Sequence, residues 1–129
     1  VKESQELILD KIANDPDLRR CVLDYTDGTY DFGRCNDNIL VTGTPPVDCD
    51  VEFRNLIEAD LPRQYNYDCE ICNSSISCYA IETDPVNIPD DSSLFTESTF
   101  IVDDDQRKIV RLYSWRCKSG DPDPFNVCN

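Results

Sequence analysis

The chain has 129 residues and a formal charge of −14, with eight cysteines and no histidine. Its length fits a single domain with a modest core. The acidic composition lacks the basic footprint of nucleic-acid-binding proteins, and the absence of histidine excludes the common catalytic triads. We therefore expect no nucleic-acid partner, and we predict that the chain is not an enzyme and needs no cofactor.

The start of the chain leads to an expectation about processing. No apolar run approaches the roughly 20 residues that a membrane-spanning helix requires. The chain begins at Val1 and contains no methionine. We expect a processed or shortened form from which a signal peptide or an apolar N-terminal anchor has been removed.

The cysteines are the next strong feature. An even number at this density is typical of a disulfide framework in an oxidising compartment. Cys69 and Cys72 form a C-x-x-C pair, but a zinc site needs a second pair or histidines, and neither is present. The simplest pairing closes the loop between Cys21 and Cys35. We predict that disulfides use all eight cysteines: Cys21, Cys35, Cys49, Cys69, Cys72, Cys78, Cys117 and Cys128.

Two helical regions are predicted. Residues 1–23 form a helical spine, whose apolar stripe includes Leu9 and Ile12 and whose polar face includes Gln5. Asp15 followed by Pro16 interrupts this spine and starts its second part, because the pair is typical of an N-cap and first helical position. A short helix over residues 51–59 follows, with Asp50 as its cap and Pro62 beyond its end.

Strands are predicted in the last half of the chain. Residues 66–83 read mostly as strand, and residues 98–103 and 108–115 form a hairpin. On its second strand Ile109, Arg111, Tyr113 and Trp115 face one way, and Val110 and Leu112 face the other.

Grouped strands after a helix indicate an α+β fold. We predict an N-terminal helix packed on a three- to four-stranded antiparallel sheet. The single domain, residues 1–129, then consists of the spine, a loop region over 24–65 that holds the short helix, and a sheet with a C-terminal loop over 66–129.

Acidic loops and one sequon offer further candidate sites. Asp84, Asp90, Asp91 and residues 103–105 could supply oxygen ligands to calcium, but their spacing does not match an EF-hand, and solvated loops are the expected interpretation. No metal site is therefore predicted. Asn73-Ser74-Ser75 fits the glycosylation acceptor pattern, which matters only in a eukaryotic secreted protein.

The C-terminal residues 117–129 form a short polar segment between two cysteines. A disulfide between Cys117 and Cys128 would constrain it by removing entropy from the unfolded chain. The sequence Trp115-Arg116-Cys117-Lys118-Ser119, followed by Asp-Pro, Phe125 and a final cysteine, resembles the disulfide-closed C-terminal loop of type IV pilins.

This resemblance implies a function in assembly and display. The chain would be a structural or adhesive subunit of an extracellular pilus-like filament, held in the periplasm before assembly. A missing N-terminal apolar helix would provide its only membrane contact. Its partners would be other pilin subunits and a surface or host receptor. The residues expected to make these contacts are Lys118, Asp121, Asp123 and Phe125.

The chain also departs from the pilin pattern. The apolar N-terminal helix of that family is absent from the sequence, and eight cysteines exceed the usual one or two bridges, which suggests a minor or specialised subunit. The alternative is a secreted cysteine-rich binding protein, such as a toxin or host-factor binder, which needs no anchor.

Overall fold

The computed structural model describes residues 1–24, 32–35, 40–41, 47–73, 93–103 and 107–117. Within these ranges the chain is α+β. The helices are α1 (Lys2–Asn14), α2 (Pro16–Leu23) and α3 (Cys49–Asp60), and the strands are β1 (Phe32–Arg34), β2 (Leu40–Val41), β3 (Val47–Asp48), β4 (Tyr65–Cys72), β5 (Phe95–Val102) and β6 (Arg107–Arg116). None of the helices in these ranges is long and apolar enough to cross a membrane.

The break between α1 and α2 is confirmed as a capped helix start. Asp15 has an extended backbone, and its side chain accepts hydrogen bonds from the amides of Asp17 and Leu18. Pro16 fits the first turn because its missing N–H would have no partner there. The predicted start of the short helix was wrong: α3 begins at Cys49 with Asp48 as its N-cap, and Asp50 lies in the first turn.

The main sheet is antiparallel and has the strand order β1-β4-β6-β5. The three long strands dominate it, and the short β1 pairs with the end of β4 through Phe32 and Cys72. β2 and β3 pair antiparallel and form a separate two-stranded ribbon. Neither β1 nor this ribbon was predicted, because two or three residues cannot establish a recognisable alternation.

Helices cover one face of the sheet, as predicted. The core combines Ile8, Leu9 and Ile12 of α1 with Val110 and Leu112 of β6. The alternation predicted for β6 is confirmed, since Tyr113 and Trp115 form a second cluster on the opposite face. We call the side of the sheet that faces the helices the inner face and the other side the outer face.

Gln5 is a buried polar residue in this helix–sheet contact. Its side-chain Nε2 lies 3.0 Å from the Phe95 carbonyl, 3.3 Å from the Leu112 carbonyl and 3.2 Å from the Ser114 hydroxyl, and its two hydrogens are shared among these three acceptors. The prediction that Gln5 belongs to the polar, solvent-facing side of the helix was wrong, because it is 0% exposed. One amide therefore ties α1 to both β5 and β6.

The prediction of disulfide bonds is confirmed for the cysteines in the described ranges, but the predicted Cys21–Cys35 pairing was wrong. Cys21 is bonded to Cys49, and Cys35 is bonded to Cys69. The first bridge joins α2 to the start of α3. The second follows from strand pairing, because β1 runs beside β4 and places the Cys35 amide 3.0 Å from the Cys69 carbonyl.

Cys72 and Cys117 are also disulfide-bonded. None of the cysteines in the described ranges is free. Cys78 and Cys128 lie outside the described residues, so the Cys117–Cys128 bridge stays a prediction. The C-x-x-C pair is used for disulfides, which removes the thiolates that a zinc site would require.

Candidate functional site

The predicted binding residues Lys118, Asp121, Asp123 and Phe125 lie outside the described residues. The base from which their segment departs is described. The Cys117 amide donates to the Gln64 carbonyl at 2.6 Å, immediately beyond the last residue of β6. The C-terminal segment therefore starts from a fixed point beside the beginning of β4.

Gln64, whose carbonyl accepts this hydrogen bond, has an unusual backbone conformation. Its φ of 75° lies in the left-handed region, which costs an L-residue roughly 1–2 kcal/mol. Its side-chain oxygen also lies 3.5 Å from the Arg116 guanidinium, which donates to it. Residues that the surrounding structure holds in a strained backbone conformation are often found at functional positions.

Replacing Gln64 tests whether this conformation is required. Gln64→Val is expected to lower the free energy of unfolding by about 1–2 kcal/mol, because a β-branched residue tolerates positive φ poorly. Gln64→Gly is expected to leave the stability equal or higher, since glycine adopts this conformation without a steric penalty. Urea denaturation of the oxidised protein measures both, and equal losses for the two variants would contradict the assignment.

The outer sheet face is the second candidate region, and part of it is a buried polar row. Asn66, Asp68 and Glu70 alternate along β4 and are at most 2% exposed. The side-chain oxygens of Asn66 and Asp68 each accept a hydrogen bond from the backbone N–H of the next residue in the chain. The Tyr113 hydroxyl donates to Glu70 at 3.4 Å. This polar row was not predicted from the sequence. Its signal was the alternation of these polar residues with Tyr67, Cys69 and Ile71 along β4.

Two carboxylates on one strand face suggest acid–base chemistry at first sight. Asp68 and Glu70 are two positions apart, which places their Cα atoms about 6.6 Å apart. Glycoside hydrolysis uses carboxylate pairs in a cleft that admits substrate and water. Because both side chains are closed to solvent, this row is interpreted as a buried polar layer beneath the outer surface.

The rest of the outer face is open to solvent along β5. Phe100 and Val102 are 52% and 55% exposed. The neighbouring strand adds Arg111 opposite Ser98 and Arg107 opposite Val102. The Arg107 guanidinium lies 4.1 Å from the centre of the Phe100 ring, which is a cation–π contact. This surface therefore combines exposed apolar side chains with positive charge in an acidic protein.

Lys108 lies on the inner face instead and belongs to the helix–sheet contact. Burial lowers the pKa of its ammonium group, and the carboxylate of Asp24, just after α2, opposes this shift. Its side chain is therefore not part of the exposed outer surface.

A metal site finds no support in the ranges that the structure covers. No group of three or more cysteine, aspartate or glutamate side chains there could hold a metal ion. Of the acidic residues considered for calcium, Asp103 is described, whereas Asp84, Asp90, Asp91, Asp104 and Asp105 lie outside the described residues.

Comparisons of the chain with protein-family models, curated proteins and solved structures found no match. The pilin resemblance therefore rests on the sequence motif at the C-terminus.

Proposed function

We propose that the chain is the extracellular head of a type IV pilin-like filament subunit, which functions through contacts and not through catalysis. The observation that carries the proposal is the path of the last strand. β6 lies in the middle of an antiparallel sheet beneath α1 and runs directly into the disulfide-bonded Cys117. This arrangement suits the display of a constrained C-terminal segment at the end of a stable head.

The disulfides support the extracellular part of the proposal. The Cys21–Cys49 and Cys35–Cys69 bonds connect elements that are far apart in the sequence. Such bonds persist in oxidising compartments and are reduced in most cytosols. The domain is therefore suited to a place outside the cytosol, which a subunit of a surface filament occupies.

Shearing surface filaments from cells distinguishes the proposed filament subunit from the alternative, a secreted binding protein. The full-length gene, with its upstream codons, is expressed in the native host with a tag, next to a strain that lacks the gene. We expect the chain in the sheared filament fraction and antibody labels along filaments in electron micrographs. Recovery only as a monomer in the culture medium would contradict the filament.

A secreted binding protein remains the second candidate, favoured by one observation. Asn73, the first residue of the sequon, is exposed directly after β4. A sugar on this residue would meet no steric obstacle from the strand. Glycosylated monomer in the medium of a eukaryotic host is the result that this candidate predicts.

A further inference from the structure

The open part of the outer face forms a cationic strip, defined here as Phe100, Val102, Arg107 and Arg111. Val102 and Arg107 are paired across the strands, and Phe100 is paired with Ile109 between the two arginines. In the ranges that the structure covers, neither arginine forms an ion pair with a carboxylate. Arg111 is half-buried and lies opposite Glu70 of β4, so the positive charge available to a partner is chiefly that of the exposed Arg107, beside two exposed apolar side chains.

The exposed side of α1 forms an acidic strip, defined here as Glu3, Glu6, Leu7 and Asp10. These positions follow helical spacing and lie opposite the buried stripe of Gln5, Ile8, Leu9 and Ile12. Leu7 is 50% exposed. An apolar side chain thus lies among three carboxylates.

Lysines on the same helix neutralise only part of this strip. Lys2 lies 4.0 Å from Glu6, and Lys11 is paired with Asp60 of α3 at 2.6 Å. Among the described residues, Glu3 and Asp10 have no cationic partner. The acidic strip therefore keeps negative charge beside its leucine.

The two strips complement each other in charge and in apolar content. A chain with 26 acidic and 12 basic residues repels its own copies in general, so attraction between copies requires a local basic surface. The cationic strip supplies one. A second copy of this chain also supplies the acidic and apolar surface that would cover it.

The strips cannot meet within one molecule, because they lie on opposite sides of the two-layer domain. α1 packs on the inner face through Gln5, whereas Phe100 and Val102 lie on the outer face. A contact between two different surfaces of identical subunits is heterologous, and it continues into an open assembly unless the rotation closes a ring.

We propose that the cationic strip of one subunit docks on the acidic strip of the next. This inference rests on the proposed filament function and names the contact between neighbouring heads. Leu7 would lie against Phe100 and Val102, and Asp10 would approach Arg107. Charge complementarity of this kind fixes register and selects partners.

Photo-crosslinking in cells that express the full chain tests this contact. Phe100→p-benzoylphenylalanine is expected to give an adduct of two copies, which mass spectrometry maps to α1 of the second copy. The probe at Val51, an apolar residue of α3 that is 42% exposed, is the matched control and is expected to give none. An adduct that joins β5 to β5 would overturn the proposal.

Charge exchange gives the sharper test. Arg107→Glu is expected to reduce the adduct about tenfold, and adding Asp10→Arg to it is expected to recover most of the loss. Arg63→Glu, an exposed charge change outside both strips, is expected to have no effect. An Arg107→Glu variant that crosslinks as well as the parent overturns the proposal.

The failure of this contact is distinguishable from failure of the proposed function. If the chain is present in filaments but the adduct is insensitive to Arg107→Glu, the contact is wrong and the function stands. If the chain is a secreted monomer without an adduct, both are wrong.

Discussion

Removing the Cys21–Cys49 bridge is expected to lower the free energy of unfolding by about 3.5 kcal/mol, from the loss of loop-closure entropy alone. The bridge closes a segment with a sequence separation of 28 and joins α2 to α3 with Cα atoms 5.7 Å apart. The double variant Cys21→Ala and Cys49→Ala removes the bond without introducing polar groups into a site where both cysteines are 0% exposed.

Urea denaturation under oxidising conditions measures this loss. The double serine variant is the matched comparison, and it is expected to lose more because its hydroxyls would be buried in the core. A loss of less than about 1 kcal/mol for the alanine pair would contradict the entropic account of the bridge.

Gln5→Glu is expected to destabilise the protein by roughly 3–5 kcal/mol at pH 7. The change replaces an amide donor by a carboxylate that faces the carbonyls of Phe95 and Leu112. Burial and carbonyl oxygens both disfavour the charged form, so the pKa of the new carboxyl is expected to rise in the folded state.

The sign of the pH dependence follows from that shift. A carboxyl with a raised folded-state pKa causes least destabilisation below the unfolded value of about 4.3, and the loss grows as the pH rises towards the folded value. Urea midpoints of the variant and parent between pH 4 and pH 8 test this. Gln5→Met, the matched uncharged control, is expected to show a smaller loss that does not vary with pH. A pH-independent loss for Gln5→Glu would show that the side chain is not enclosed.

Much of the helix and sheet pattern could be predicted because its signals are local. Asp15 and Pro16 mark a helix start by their own backbone preferences, and the alternation along β6 separates Tyr113 and Trp115 from Val110 and Leu112. Each of these signals depends on a few consecutive residues. Such signals survive folding when tertiary contacts agree with them.

The cysteine pairing could not be predicted because it depends on tertiary contacts. Closure of a short loop favours Cys21 with Cys35 on entropy alone. Packing of α2 against α3 instead places Cys21 beside Cys49, and the β1–β4 register places Cys35 beside Cys69. Differences of a fraction of a kcal/mol in loop closure cannot compete with these contacts.

The candidate surfaces were missed for a related reason. Gln5 is predicted on the polar face of the helix because its side chain is polar, but its burial depends on three acceptors supplied by β5 and β6. The exposure of Phe100 likewise depends on which part of the outer face remains uncovered. From sequence alone, a phenylalanine in a strand is predicted to be buried, and its exposure becomes evident only when the positions of the neighbouring strands are known.

The most direct test of the extracellular, disulfide-bonded head is the non-reduced mass of the chain recovered from the surface of its native host by shearing. We predict a chain about eight hydrogens lighter than its reduced form, as pairing of all the cysteines requires. Proteolytic fragments should link Cys21 to Cys49 and Cys35 to Cys69. Recovery of the chain only inside the cells, with free thiols at these four positions, would contradict both the covalent framework and the display of this domain outside the cell.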